Sequence, residues 1–267
     1  MARPLRTEFP GAVYYITSRG IDNRKVFLDK YDPEEWLEIF GTVCKRYNWK
    51  VYAYCLMPDN YQIVAETISP SLSIGMRQLN GIYTQNFNTR HNNHGNIFRG
   101  RFKSVHIQKE KFLDQVVKNV LGSPVRAGFV KYPYQYKFSS CRFLRDSSAC
   151  PDWLDTVSLS YELAGELTGS EYERDTASEN IFNNVRMQIF LGDDQFIDWI
   201  SNYNEPDNED DNELSDLKRF VAESNSRDEA ITNAYLSGNY SMKEIGEYFS
   251  LHYSTVSRII KNFENDK

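Results

Sequence analysis

A chain of 267 residues, 40% apolar and 25% charged, is long enough to bury a sizeable core and has an ordinary globular composition. No apolar run approaches the roughly 20 residues of a membrane-spanning helix, and the opening Met-Ala-Arg-Pro-Leu-Arg lacks the hydrophobic segment of a secretion signal. Cys44, Cys55, Cys141 and Cys150 are scattered without a Cys-x-x-Cys pair, which argues against a zinc site and a disulfide frame and for a cytoplasmic protein.

The formal charge of −6 hides a division. Residues 1–145 hold 22 Lys/Arg against 11 Asp/Glu, whereas residues 146–267 hold 9 against 26. A basic front half suggests a polyanionic partner for that half.

Residues 11–19 alternate small and apolar side chains and read as a first strand; Arg24 and Lys25 follow in a loop. Asp32-Pro33-Glu34-Glu35 predicts a helix start, with Asp32 as N-cap, Pro33 at the first helical position and acids near the positive end. That helix runs to about Tyr47 and turns Trp36, Phe40, Val43 and Cys44 inward. Residues 50–56 and 61–66 form a hairpin around Met57-Pro58-Asp59. On its second strand Asn60 and Gln62 lie two apart and share a face, while Asp59 and Tyr61 are assigned to the other. Two carboxamides on one face of a buried strand fit a watery polar face or a site.

A second long helix over 71–88 buries Leu72, Met76, Leu79, Tyr83 and Phe87 and offers Arg77, Gln78, Asn80, Thr84 and Gln85 on its other side. His91 and His94 fall in an Asn/Gly-rich loop and are expected to be solvated. In Phe98-Arg99-Gly100-Arg101-Phe102-Lys103 cations alternate with rings, a pattern of nucleic-acid grooves and also of plain strand edges. A strand through Val105 and Ile107 precedes a helix over 111–121, expected to end at Gly122-Ser123-Pro124. The order strand–helix–strand–strand–helix–strand predicts an α+β, ferredoxin-like antiparallel layer with a further helix added.

Residues 146–215 read as an acidic helical connector, with helices over 158–167 and 181–189 and an acid-rich linker over 202–213. Residues 216–267 read as a helix-turn-helix domain. Ser241-Met242-Lys243-Glu244 is a capping box. Ile245, Phe249, Leu251, Val256 and Ile259 supply the apolar positions, Gly246 the close crossing, and Ser250-Leu251-His252 the turn, with Ser where Gly is more usual. A second helix over 253–263 would expose Tyr253, Ser254, Ser257, Arg258 and Lys261, the residue types that contact bases and phosphates. A small helical interaction module would read the same way.

Several blocks of residues 1–145 together resemble one family. They are Ala2-Arg3-Pro4-Leu5-Arg6, Thr17-Ser18-Arg19-Gly20, Ala53-Tyr54-Cys55-Leu56-Met57-Pro58, Gly75-Met76-Arg77-Gln78-Leu79-Asn80-Gly81, Tyr83-Thr84-Gln85, Phe98-Arg99-Gly100-Arg101-Phe102-Lys103 and Pro124-Val125-Arg126-Ala127-Gly128. The resemblance is to the REP-associated branch of the HUH single-tyrosine transposases. It implies a transposase-like domain in which two histidines on the strand after Met-Pro hold a divalent metal. It also implies a helical tyrosine that attacks single-stranded DNA, with a polar residue one turn on completing the metal shell. In this chain those positions hold Asn60, Gln62, Asn119 and Ser123. Neutral carboxamides are weaker ligands than imidazole, and Asn119 has no hydroxyl. Tyr61 and Tyr83 are the remaining stand-in nucleophiles.

The resulting expectation is a catalytically inactive, transposase-derived DNA-binding protein with no catalytic residue, no metal and no cofactor. The front domain would hold a hairpin or single-stranded element through Arg19, Arg77, Arg99, Arg101, Lys103 and Arg126. The C-terminal module would read duplex DNA. Such a protein would act in the cytoplasm on the nucleoid as a transcriptional regulator, with no membrane partner and a homodimer left open. An active nickase with a non-standard nucleophile, and a protein-interaction adaptor using the acidic middle, are the alternatives.

Overall fold

The computed structural model describes residues 7–169, 181–203, 217, 220–221, 224, 226–237, 240 and 242–265. The block at residues 2–6, the linker from 204 onward and Ser241 of the expected capping box lie outside them, as do the side chains of Glu244 and Lys261.

Strand β1 (Ala12–Arg19) runs through the middle of a five-stranded sheet. It pairs antiparallel with β3 (Asn60–Thr67) on one side and β4 (Lys103–Ile107) on the other. Strand β2 (Trp49–Met57) lies beyond β3, and β5 (Phe190–Leu191) adds parallel to β4, giving the order β2-β3-β1-β4-β5. The first four strands thus have the ferredoxin-like arrangement that the element order predicts. Helices α1 (Tyr31–Tyr47) and α2 (Leu72–His91) cover one face, and α3 (Lys109–Arg126) covers the other.

Period-two alternation divides each central strand between two cores. Tyr14, Ile16, Tyr61 and Ile63 join Trp36, Phe40, Met76 and Tyr83 in the first. Val13, Val64 and Val105 join Val116 and Val120 of α3 in the second.

The start of α1 differs from the expected cap. Asp29 accepts hydrogen bonds from the Tyr31 and Asp32 N–H groups at 2.7 and 3.0 Å, so it is the capping side chain. Asp32 is fully buried, and its carboxylate reaches back to the Leu28 and Asp29 N–H groups at 2.7 and 3.3 Å. His91 Nε2 lies 2.8 Å and Arg90 2.9 Å from the same carboxylate, tying the end of α2 to the start of α1. His91 is therefore engaged rather than solvated. Burial opposes ionisation of Asp32, but the bonds from His91, Leu28 and Arg90 outweigh it and hold its carboxyl below the usual value. Asp29, Asp32 and His91 could frame a cation by distance. The Arg90 guanidinium already fills that role.

Two further expectations change. Helix α3 continues through Pro124 to Arg126 instead of ending at residue 121. The helix expected over 181–189 is a single turn, Ile181–Asn184, after which Met187 and Gln188 take positive φ (49° and 66°) and redirect the chain into β5. Short helices α4 (Arg142–Arg145), α5 (Tyr161–Thr168) and α6 (Asp194–Ser201) complete this part; Ser160 and Asp193 cap the last two by accepting from Leu163 and Phe196 N–H groups.

The first compact unit extends to Tyr203. Leu154, Phe190, Ile197 and Ile200 belong to its first core, so most of the expected connector is part of the front domain. This redraws the charge picture. Residues 1–203 hold 24 Lys/Arg against 23 Asp/Glu, so any attraction for a polyanion comes from local surfaces and not from the unit's net charge.

In the second unit, α7 (Arg227–Ser237), α8 (Met242–Tyr248) and α9 (Tyr253–Asn265) share a small core of Ile231, Ala234, Ile245, Val256, Ile259 and Ile260. A Cβ on Gly246 would come within 2.6 Å of the Leu251 carbonyl oxygen, which is why this position needs glycine. Ser250 sits between α8 and α9 with φ 54°.

Two outcomes follow for stability. Ser250→Gly relieves the left-handed backbone and raises the stability of the C-terminal unit by about 1 kcal/mol, read from its own denaturation transition. His106, 4% exposed on β4, lies among the rings of Phe9, Tyr14 and Phe190, and burial lowers its pKa from 6.5 to about 4. Its neutral form is the folded one. Stability is therefore full above pH 6.5 and falls by up to about 3 kcal/mol as the pH drops towards 4. In denaturant titrations between pH 7 and 4.5, His106→Phe should lose that part of the acid sensitivity.

Candidate nucleic-acid interface

The β2–β3 turn places the altered positions at the end of the sheet. Gly20 N–H donates to the Asp59 carbonyl at 2.8 Å, fixing the turn beside the end of β1. Asp59 precedes the strand, so strand alternation does not govern it. Its Oδ1 accepts from Asn60 Nδ2 at 2.6 Å, and its Oδ2 lies 3.4 Å from Arg19 Nε. Asp59 thus joins Asn60 instead of facing away. Gln62 Nε2 in turn donates to Asn60 Oδ1 at 3.4 Å.

Helix α3 closes the other side. Because it runs past Pro124, Asn119, Ser123 and Arg126 fall at i, i+4 and i+7 along one face. Arg126 Nη2 donates to the Asn119 carbonyl at 2.6 Å, to Asn119 Oδ1 at 3.1 Å and to Ser123 Oγ at 3.0 Å. The Ser123 hydroxyl has one proton to share between Gln62 Oε1 at 3.3 Å and the Asn119 carbonyl at 3.1 Å. All four altered positions are therefore brought into one hydrogen-bonded chain from Asp59 to Arg126.

Tyr15 is the member that sequence reasoning missed. Its hydroxyl lies 3.4 Å from Gln62 Oε1, its ring centroid is 4.2 Å from that of Phe182, and burial pushes its pKa up to about 12. It stays protonated and donates. The signal was available in the period-two pattern of β1, which puts Tyr15 and Thr17 on one face, once β1 is paired with β3. Tyr61 and Tyr83 face the other core instead. Tyr61 donates to Asn80 Oδ1 at 2.8 Å and Tyr83 to the Val26 carbonyl at 2.6 Å; burial raises both pKa values. Neither stands near Asn119.

The metal that a pair of imidazoles would hold does not fit these positions, and the one carboxylate beside them, Asp59, is already bonded to Asn60 and paired with Arg19. The carboxamide oxygens of Asn60 and Gln62 already accept hydrogen bonds, both are neutral donors, and the Arg126 guanidinium occupies Ser123.

The six predicted cations, all exposed, fall into two groups. Arg19 and Arg126 flank the carboxamide chain, and Lys103 lies across Thr17 from Gln62 on the same sheet face. Arg77 and Arg101 instead line a groove of about 810 Å³ between α2 and the loop before β4, with Asn80, Gln85, Asn88 and Asn96. Arg99 lies where the two meet, its N–H donating to the Arg19 carbonyl at 2.8 Å. The interleaved rings are not stacking surfaces, because Phe98 and Phe102 are only 5% and 6% exposed. In the second unit Tyr253, Ser254, Ser257 and Arg258 are exposed on α9 while Val256 is buried.

The class of fold is a mixed α+β layer with these polar positions gathered at one end of its sheet. Residues 13–119 match the family model described as "Transposase IS200 like", so this part of the chain is similar to that family. Among solved structures it is similar to a REP-associated tyrosine transposase bound to a REP hairpin, at 18% identity and a TM-score of 0.46, over 60% of this chain and 96% of that one. A candidate transposase from Deinococcus radiodurans R1 is 12% identical with a TM-score of 0.32, over 44% of this chain and 97% of that one. No curated protein matches.

Titration with Mn²⁺ in a calorimeter should give no saturable binding, and Asn60→His with Gln62→His should introduce it. Micromolar binding by the unaltered protein, abolished by Asn60→Ala, is the contrary result.

Proposed function

We propose that this chain is a DNA-binding protein derived from a single-tyrosine transposase, with a front unit that holds DNA without cutting it. The observation that carries this reading is the hydrogen-bonded chain Asp59–Asn60–Gln62–Ser123–Arg126–Asn119. In an IS200-like domain it stands where the family resemblance puts two metal ligands and a nucleophile. Metal and nucleophile act as a unit in phosphoryl transfer, so the joint replacement removes the route to a phosphotyrosine that the family resemblance implies. What remains is a surface for binding: Arg19, Lys103 and Arg126 on one face, and the groove with Arg77 and Arg101 on the other. Charges placed locally act over about 8 Å at physiological salt, so a nearly neutral unit still presents basic patches to phosphates.

The proposed target of the front unit is a hairpin or single-stranded element. The C-terminal unit is proposed to be a helix-turn-helix that sets α9 into the major groove, with Arg258 reading a base and Tyr253, Ser254, Ser257 and Lys261 contacting base edges or phosphates. Two DNA-reading parts without cleavage make a regulator of transcription, working on the nucleoid.

The test has two readouts. Hairpin DNA incubated with the protein and Mg²⁺ or Mn²⁺ should bind and give no covalent adduct on a denaturing gel; an adduct overturns the inactive reading. In binding assays Arg101→Ala should weaken all sequences alike and flatten the salt dependence by about one unit. Arg258→Ala should instead cost the specific duplex roughly 1–3 kcal/mol and spare random sequence.

A further inference from the structure

Within the stretch from the second half of α3 to residue 145, only the helical part takes part in the DNA-binding reading. From residue 115 to 145 the chain carries six Lys/Arg and no Asp or Glu, and residues 129–143 include six aromatic rings. Tyr132 and Tyr134 flank Pro133 at the start of a tight turn, and their rings stack with planes 3° apart and centroids separated by 5.6 Å. A cation lies over each ring: Lys131 Nζ at 5.1 Å from the Tyr132 centroid, and the Arg145 guanidinium at 4.5 Å from that of Tyr134. Lys118 and Lys137 in this segment pair with Glu166 and Glu34, but among the described residues no carboxylate pairs with Lys131 or Arg145.

The turn is rigidly mounted. Tyr132 N–H donates to Gln135 Oε1 at 3.1 Å, Tyr136 OH to the Leu56 carbonyl at 2.9 Å, and Ser140 N–H to the Tyr54 carbonyl at 3.0 Å. These bonds attach the segment to β2 near the turn that leads to Asn60. Phe129, 53% exposed and three residues beyond Arg126, has its ring centroid 6.1 Å from that of Tyr136 and links the segment to the carboxamide end of the sheet. Tyr134 packs against the second core, but the Tyr132 ring stays partly exposed beneath a cation with no described carboxylate partner, an arrangement from which a fold gains little. Single-stranded nucleic acid uses both: π faces for its unstacked bases and positive charge for its phosphates. Duplex DNA keeps its base faces inside the stack.

Resting on the DNA-binding reading, we propose that Tyr132 and Tyr134, with Lys131 and Arg145, form a stacking platform for single-stranded DNA that flanks the element held by the front unit. A base takes the ring face over which Lys131 now sits, and the ammonium moves to the adjacent phosphate.

The test is fluorescence anisotropy of labelled oligo(dT), about 15 nucleotides long, with the full chain at fixed salt. The unaltered protein should bind it. Tyr132→Ala with Tyr134→Ala should weaken binding about tenfold, while the paired Phe changes, which keep the ring faces, should stay within about twofold. Lys131→Gln with Arg145→Gln should flatten the salt dependence by about 1.4 units; should the alanine pair fail to fold, this result decides. Failure of the unaltered protein to bind oligo(dT), or equal binding by the alanine pair, overturns the platform. A blunt hairpin without single-stranded tails, titrated in parallel, judges the DNA-binding reading separately.

Discussion

Coverage of the sheet on both faces is the constraint on which the rest of the front unit depends. With α1 and α2 on one side and α3 on the other, most side chains of β1 and β3 enter one core or the other. Apolar residues meet that demand by burial, at about 25 cal/mol per Å² of surface removed from water. A polar residue on such a strand has to find hydrogen-bond partners, because an unpaired buried group costs roughly 1–3 kcal/mol. Asn60 and Gln62 sit where the coverage thins, at the end of the sheet, and they meet the demand through each other and through Asp59, Tyr15 and Ser123. Carboxamides suit this position because each offers both a donor and an acceptor.

Helix α3 then supplies what the strand lacks. Its extra turn beyond Gly122 brings Arg126 over Ser123 and Asn119, and the two N–H groups of Nη2 are shared among the three acceptors. The result is a positive group fixed within a neutral network. It is also half of a pair of basic surfaces, the other being the groove along α2, and Arg99 stands between them.

Much of this was legible in the sequence, for physical reasons that differ by element. The long helices and the hairpin follow from strong periodicity, and the facing of Asn60 and Gln62 follows from strand alternation alone. Asp59 was misplaced because alternation was carried one residue too far, into a turn. The end of α3 was misjudged because proline usually stops a helix. Here the helix runs on to Arg126 although Pro124 cannot donate to the Val120 carbonyl, and the Ala127 N–H closes the last turn on the Ser123 carbonyl. Strand β5 was invisible, since two residues carry no period, and its attachment to β4 depends on a chain reversal at Met187 and Gln188. The connector's acidity concealed that Leu154, Phe190, Ile197 and Ile200 complete the core. Charge patterning speaks of solvent-facing positions and is silent about the few apolar residues that decide where a domain ends.

The margins of the sheet carry a consequence for assembly. On the β2 side, backbone groups of Val51, Tyr54 and Leu56 are already bonded to residues 138–140 and 153–155. On the opposite side, the outermost strand is only Phe190–Leu191. Short or covered margins are how proteins avoid adding strands from other chains. Among the described residues a second copy of this protein therefore finds only a short open ladder, at Lys103–Val105 beyond the reach of β5, and a wide contact between two copies would fall to helices or loops.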